Sequence, residues 1–292
     1  MLGTVRILQG MHAACAHLNP KGTRMMSSKT RLEAQCAEEA PSGVFRVGGR
    51  VRGADDIVSR SLAGLWIAFQ PVVSSRDEHV FGYEAQFRVV EETRPARVER
   101  AAERVGRLVE LGRAIRASTV QALSSAPCEC LIFLRVFPID LLDGELYSLD
   151  SPLSGVAHRV VLELTDRASL DGRWSVRERV HDLRQLGYRI GMDRVASGYP
   201  QLDSLTSLQP EFVRLDASLV RAVQGDPAAR QTVSALVSLC RELDAAPLAQ
   251  GVENSAERDV LSALGCDLMQ GPLFAPACAG FPASSKRFAA PH

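Results

Sequence analysis

The sequence has no surplus of either charge: Lys and Arg together number 34, and so do Asp and Glu. A balanced chain has no general field drawing it to nucleic acid or an anionic membrane, so no nucleic-acid polymer is expected as a partner. Long apolar runs are missing too; none approaches the roughly 20 residues of a membrane span. Residues 1–16 hold one arginine and an apolar stretch broken by Gln9, Gly10 and His12, a poor signal peptide, so a cytoplasmic protein is expected. Aromatic residues make up only 5% of a chain that is 46% hydrophobic, which leaves Leu, Val and Ala to fill the core. Cysteine is scattered and odd in number (Cys15, Cys36, Cys128, Cys130, Cys240, Cys266, Cys278). Cys128 and Cys130 have no second pair at metal-ligand spacing, so buried thiols are expected rather than zinc or disulfides. The G-x-S-x-G pattern is absent, so Ser197-Gly198 is no nucleophile elbow. His79, His158 and His181 have no triad spacing and read as surface residues.

What is present divides the chain unevenly. Residues 1–53 show no sustained period, and eight basic residues (Arg6, Lys21, Arg24, Lys29, Arg31, Arg46, Arg50, Arg52) face only Glu33, Glu38 and Glu39. This composition reads as a disordered or weakly ordered, solvated basic leader, with a tail that touches an anionic partner as the alternative. Ordered structure is expected from Asp55-Asp56, either of which can cap a short helix through Leu62. Trp66 to Val73 and Gly82 to Val89 read as two strands joined by a polar turn. Val105, Leu108, Leu111, Ile115, Thr119 and Leu123 predict one long helix from about Arg97 to Ser124. Further strands are expected at Cys130–Val136, His158–Thr165, up to Asp193, at Phe212–Asp216, Ala246–Val252 and Leu268–Phe274. Helices are expected at Ser175–Leu186, Pro227–Leu243 and Ser255–Leu264. Apolar strands alternating with amphipathic helices imply a mainly parallel sheet covered by helices, an α/β fold. About eight strands in about 225 residues favour a closed barrel over a doubly wound sheet.

In a barrel the carboxyl ends of the strands converge on one mouth, where barrel enzymes place their chemistry. The acids at those ends are Glu84, Glu163, Asp193, Asp216 and Glu253; the bases are Arg88, Arg135, Arg194 and Arg214; the amides are Gln70, Gln250 and Gln270. Glu163 lies inside the run Val160-Val161-Leu162-Glu163-Leu164, so its carboxylate needs a metal or a cation beside it. Several carboxylates suit magnesium, which takes oxygen ligands. A guanidinium cannot ligate a metal and stays charged, so the arginines argue for ion pairs instead.

Taken together the stretches resemble the EAL domain family, bacterial phosphodiesterases that hydrolyse cyclic di-GMP with divalent metals. Phe69-Gln70-Pro71-Val72-Val73 is similar to the family's Y-Q-P-I-V, and Gly82-Tyr83-Glu84-Ala85-Gln86-Phe87-Arg88 to G-x-E-A-L-x-R, with Gln86 in place of the signature leucine. Leu162-Glu163-Leu164-Thr165-Asp166 resembles L-E-I-T-E. The stretch from Leu186 to Asp193 resembles L-G-x-x-I-A-L-D, and Ser197-Gly198-Tyr199 resembles T-G-Y. Gly251-Val252-Glu253 and the run from Gly265 to Phe274 match the closing motifs. The resemblance covers about Asp55 to Pro276. It implies a modified TIM (β/α)8 barrel whose first strand is antiparallel, with a degenerate EAL domain over residues 54–280 and a C-terminal tail over 281–292.

The departures shape the functional expectation. Arg135 stands at the family's metal-binding Asn, Arg194 at the second Asp of its Asp-Asp pair, Arg214 at its L-K-I-D lysine and Gln250 at the first Glu of A-E-G-V-E. Glu84, Glu163, Asp193 and Glu253 remain acidic. The resemblance therefore implies that the family's Mg2+ or Mn2+ and its hydrolysis are lost. Gln70, Arg88, Asp216 and Gln270 match positions that hold the dinucleotide in the family. The expectation is an inactive regulatory protein acting on a protein partner, with a metal-independent cyclic di-GMP receptor as the alternative and residual hydrolysis a distant third; a homodimer is compatible with either of the first two. At least one of Arg135 and Arg194 is expected to pair with Glu84, Glu163 or Asp193, with Arg214 a further candidate.

Overall fold

A computed structural model describes residues 53–77, 79–89, 94–124, 126, 130–165, 175–195 and 205–282, except the side chains of Thr165 and Arg194. The leader, apart from Gly53, lies outside the described residues, as do the T-G-Y-like stretch and Cys15, Cys36 and Cys128.

The first helix, α1 (Ala54–Ala63), is capped by Gly53; Asp55 and Asp56 fall in its first turn and Arg60 in its last, each favourably placed on the helix dipole. Strands β1 (Leu65–Ser74) and β2 (Val80–Val89) form an antiparallel hairpin whose register sets Gln70 opposite Glu84. The single long helix expected next is two, α2 (Pro95–Arg104) and α3 (Leu108–Leu123). Between them Gly106 has φ +70°, a left-handed conformation that a right-handed helix cannot continue through.

From there strand and helix alternate as the pattern predicts. The remaining strands are β3 (Leu131–Arg135), β4 (Val160–Thr165), β5 (Arg189–Val195), β6 (Phe212–Leu215), β7 (Ala246–Gln250), β8 (Leu268–Gln270) and β9 (Cys278–Ala279). The remaining helices are α4 (Val176–Gln185), α5 (Ala217–Ala222), α6 (Pro227–Glu242) and α7 (Ser255–Ala263). Strands β2 to β8 pair in parallel, each with the next. β1 then pairs antiparallel with β8 through Val73↔Met269 and Ser74↔Leu268, closing the barrel. The antiparallel first strand is thus present. β9, absent from the expected pattern, adds to β1 at Phe69↔Cys278.

The period of two along each strand sorts the side chains into layers. Inside the barrel Val72, Leu131, Phe133, Val161, Phe212, Leu248 and Leu268 form an apolar plug, with Phe133 and Phe212 edge to face at 5.1 Å. Two residues further along the strands the same inward face carries Glu163, Arg214, Gln250 and Gln270. Outside, helices bury the alternate residues, such as Ile132, Leu134, Leu162 and Ile190. Cys130, Cys240, Cys266 and Cys278 are buried thiols outside any disulfide, as expected. Burial pushes the Cys240 thiol up to about 12. Among the described residues no helix is long and apolar enough to cross a membrane. At the end of the described residues the Phe281 ring stacks on Phe69 at 4.3 Å, and the Tyr83 hydroxyl donates to the Pro282 carbonyl at 3.1 Å.

Candidate functional site

The polar layer sits directly on the apolar plug. Arg214, projected inward from β6, is 1% exposed, and its guanidinium carbon lies 5.9 Å from the Phe133 ring centroid. Its Nε and Nη2 both donate to Glu163 Oε1 on β4, at 2.8 and 2.5 Å. Nη1 donates to Gln270 Oε1 on β8. The same guanidinium is 3.8 Å from Asp193 of β5 and 3.8 Å from Glu84 of β2. Among the described side chains, one cation therefore stands among three carboxylates drawn from three strands.

Two amides carry this cluster outward. Gln270 donates to Glu84 Oε2 at 2.7 Å, and Gln86 donates to the same oxygen at 2.6 Å. Gln86 also donates to Gln70 Oε1 at 3.1 Å, and its own carbonyl accepts from Arg88 Nη2 at 2.6 Å. Gln70 in turn donates to the Ala275 carbonyl at 3.1 Å. An unbroken hydrogen-bonded path thus runs from Glu163, in the barrel's centre, to Arg88 at its rim.

The electrostatics follow from burial. Loss of solvent pushes the Glu163 carboxyl up to about 7; Arg214 opposes the shift, and Glu84 and Asp193 add to it. For Arg214 desolvation is the largest influence and acts downward, but the carboxylates of Glu163, Glu84 and Asp193 together hold the guanidinium above its ordinary range. Between the path and the outer helices lies a cleft of about 170 Å³, lined by Glu84, Arg88 and Arg135 and walled by Pro95, Ile115 and Phe137.

Among the described side chains the arginine that meets these acids is Arg214; Arg135, one of the two expected candidates, does not. Arg135 is the register partner of Glu163, but it is the last residue of β3, and its guanidinium turns over the rim to pair with Glu99 on α2. Glu163 is already held by the more deeply buried Arg214. The Arg194 side chain lies outside the described residues. Gln250 is half-buried at the end of β7, opposite Gln270 in register, and Glu253 stands exposed in the following turn. Asp216 caps α5, accepting from the Ser218 N–H at 2.8 Å. Two site residues escaped the sequence reading. In the sequence Gln86 stands out only as a departure from the signature, and Glu99 sits in an arginine-rich helix where nothing singles it out.

The family's divalent ions can be tested against this donor set. The space between Glu84, Glu163 and Asp193 is filled by a guanidinium, and among the described residues no group of three or more His, Cys, Asp or Glu is placed to hold a metal. The described residues do not fit the group.

Comparison with known proteins gives one family: the EAL domain model matches residues 57–277. An uncharacterized protein of Azorhizobium caulinodans is 28% identical over 243 residues, 77% of this chain and 33% of that one. The cyclic di-GMP phosphodiesterase RocR of Pseudomonas aeruginosa is 31% identical over 116 residues, 40% of this chain and 30% of that protein. The chain spans about a third of the length of these relatives. Among solved structures, the BlrP1 calcium/cy-diGMP complex of Klebsiella pneumoniae superposes with a TM-score of 0.68 at 24% identity, over 76% of this chain and 57% of that one.

Proposed function

Given that the chain belongs to the EAL domain family, we propose that it is a member whose barrel no longer hydrolyses cyclic di-GMP and that it regulates signalling by binding a protein partner. The observation that carries this reading is the place of Arg214. Two-metal phosphodiester hydrolysis needs carboxylates free to hold cations that generate hydroxide and clamp the leaving oxygen. Here Glu163 is committed to Arg214, and Glu84 accepts from two amides. Arg135 in place of a metal-binding Asn, and Gln250 in place of an acid, subtract further ligands from the rim.

The partner-binding half is favoured by a surface feature. The only large hydrophobic side chains left exposed among the described residues are Ile139, Leu142 and Leu149, all in one segment after β3. Ile139 and Leu142 are three apart on a 3-10 turn (Pro138–Leu142), so they stack on one face. This pair, with Leu149 80% exposed further along the same segment, is the observation that supports a protein-binding surface.

The alternative is a metal-independent receptor for cyclic di-GMP, and a different observation favours it. Arg88, at a position that matches one holding the dinucleotide in the family, opens into a cleft with apolar walls. Calorimetric titration with cyclic di-GMP, with and without magnesium, separates the readings. Silence in both titrations favours the partner-binding module; binding indifferent to magnesium favours the receptor. Conversion to the linear dinucleotide with magnesium or manganese, abolished by Glu84→Ala, would overturn both.

A further inference from the structure

The segment after β3 is apolar and acidic at once. Residues 138–153 hold Asp140, Asp143, Glu145 and Asp150 and no Lys, Arg or His. From α3, Arg113 meets Asp143 at 2.7 Å and Glu145 at 3.0 Å, and Arg116 meets Asp140 and Asp143. Two guanidiniums thus face four carboxylates. From α4, Arg179 and Asp182 both approach Tyr147 and offset each other in charge. Glu145 and Asp150 are exposed and interleaved in sequence with the exposed Leu142 and Leu149. The complement of such a surface is a segment that is apolar and basic.

The chain carries one immediately before α1. Residues 44–52 set Val44, Phe45, Val47 and Val51 among Arg46, Arg50 and Arg52, with no acid. These residues lie outside the described ones, but the point where they join the barrel does not. Gly53 caps α1, and two residues on Asp55 accepts from Arg107 Nη1 at 2.8 Å, at the start of α3. Arg113, which holds Asp143 and Glu145, is six residues further along α3, about 9 Å of helix. Residues 44–52, fully extended, reach about 30 Å. The tether is therefore long enough.

We infer that residues 44–52 lie over Ile139, Leu142 and Leu149 as a strap, with their arginines on Glu145 and Asp150. A short tether gives an effective concentration on the order of 1 mM, so a contact of about 0.1 mM affinity stays closed roughly ten to one. A separate protein lacks that advantage and must displace the strap to use the same surface. That displacement rests on the partner-binding reading above; the strap itself does not.

The test uses the full chain and trypsin, comparing cleavage after Arg46 and Arg50 with cleavage after Lys21 and Lys29. The variants are Leu149→Ser with Asp150→Lys, both at exposed positions, and Glu242→Lys, the same reversal of charge on α6. In wild type, cleavage after Arg46 and Arg50 is expected to be about tenfold slower than after the two lysines. The double variant should remove that protection, and Glu242→Lys should leave it. Equal cleavage at all four sites in wild type overturns the strap. Protection that survives the double variant places the segment elsewhere and overturns it too, and equal loss in Glu242→Lys reduces the effect to general charge. The reciprocal readout is hydrogen exchange over residues 138–153, which should quicken severalfold when Arg46, Arg50 and Arg52 are all changed to Ser. Exchange there that ignores those changes but slows with protein concentration makes a second copy the cover and overturns the strap. Each of these failures leaves the partner-binding reading standing, because none of them tests a separate protein.

Discussion

Arg214 shows how one side chain can redefine a mouth whose acids are otherwise retained. A lysine ammonium is a compact point charge, whereas the planar guanidinium reaches Glu163 through two donors and Gln270 through a third. Such a buried pair matters chiefly when broken. Arg214→Met should lower the urea unfolding free energy by about 3–5 kcal/mol, because Glu163 is left uncompensated, and adding Glu163→Gln should recover part of that loss. The pH dependence has a definite sign. The Glu163 carboxyl is raised from 4.5 to about 7 in the fold, so the native state binds more protons than the unfolded chain between those values. Stability should therefore fall as pH rises through that window, by a contribution on the order of 3 kcal/mol for this group alone. Thermal melts from pH 4.5 to 7.5 should show the decline in wild type and a flatter profile in Glu163→Gln. At this scale the sequence was readable up to a point. Inward alternation placed Glu84, Glu163, Asp193 and Arg214 at one mouth, yet Arg135 has the same parity. Only its position as the last residue of β3 lets it swing outward to Glu99, a partner 36 residues back along the chain.

Between elements, α3 is tied to the segment after β3 by charge inside an apolar stripe. Arg116, 4% exposed, reaches Asp140 at 2.9 Å and Asp143 at 2.5 Å, and Arg113 holds Asp143 through two further bonds. The Arg113 bond holds the Asp143 carboxyl below its ordinary range, whereas burial pushes that of Asp140 up. This network fixes the turn that carries Ile139 and Leu142. It was not legible because Arg116 falls between Ile115 and Thr119 on the stripe that reads as plain core. Gly112 is the other half of the arrangement, since a Cβ there would lie 2.3 Å from Asp140 Oδ1. A glycine in a helix interior ordinarily costs about 1 kcal/mol relative to alanine. Gly112→Ala should reverse that sign, because the carboxylate it strikes is pinned by the Phe137 N–H and by Arg116. A loss of about 1–3 kcal/mol is expected, read as a lower denaturation midpoint at unchanged slope. A gain in stability would show that Asp140 yields and that the network is looser than its distances suggest.

For the whole molecule, the alternation of strands and helices was legible because each period is local, whereas closure was not. Closure depends on β1 meeting β8, nearly 200 residues away, through only two residue pairs, Val73↔Met269 and Ser74↔Leu268. Before Val73, β1 has no register pairs with β8, and that stretch needs a second cover. Cys278 supplies it by pairing with Phe69, and the chain then lays Phe281 on Phe69 and against Tyr83, with ring centroids 5.2 Å apart in the second contact. The family match stops at residue 277, so this clasp lies just outside the motifs from which a boundary would be drawn. A chain ending at Ala277 should lose the aromatic stack and the hydroxyl bond to Pro282, and with them about 2–4 kcal/mol, more than burial of one aromatic ring alone contributes. A chain ending at Ala283 should melt with the full-length protein. The two truncations also bear on the mouth, because Gln70, one residue from Phe69, anchors the hydrogen-bonded path to the Ala275 carbonyl. If the clasp holds β1 in register, the shorter chain should show faster hydrogen exchange at the Gln70 and Glu84 amides as well as a lower melting temperature. Loss of stability without that change in exchange would confine the clasp to the outer face and uncouple it from the site.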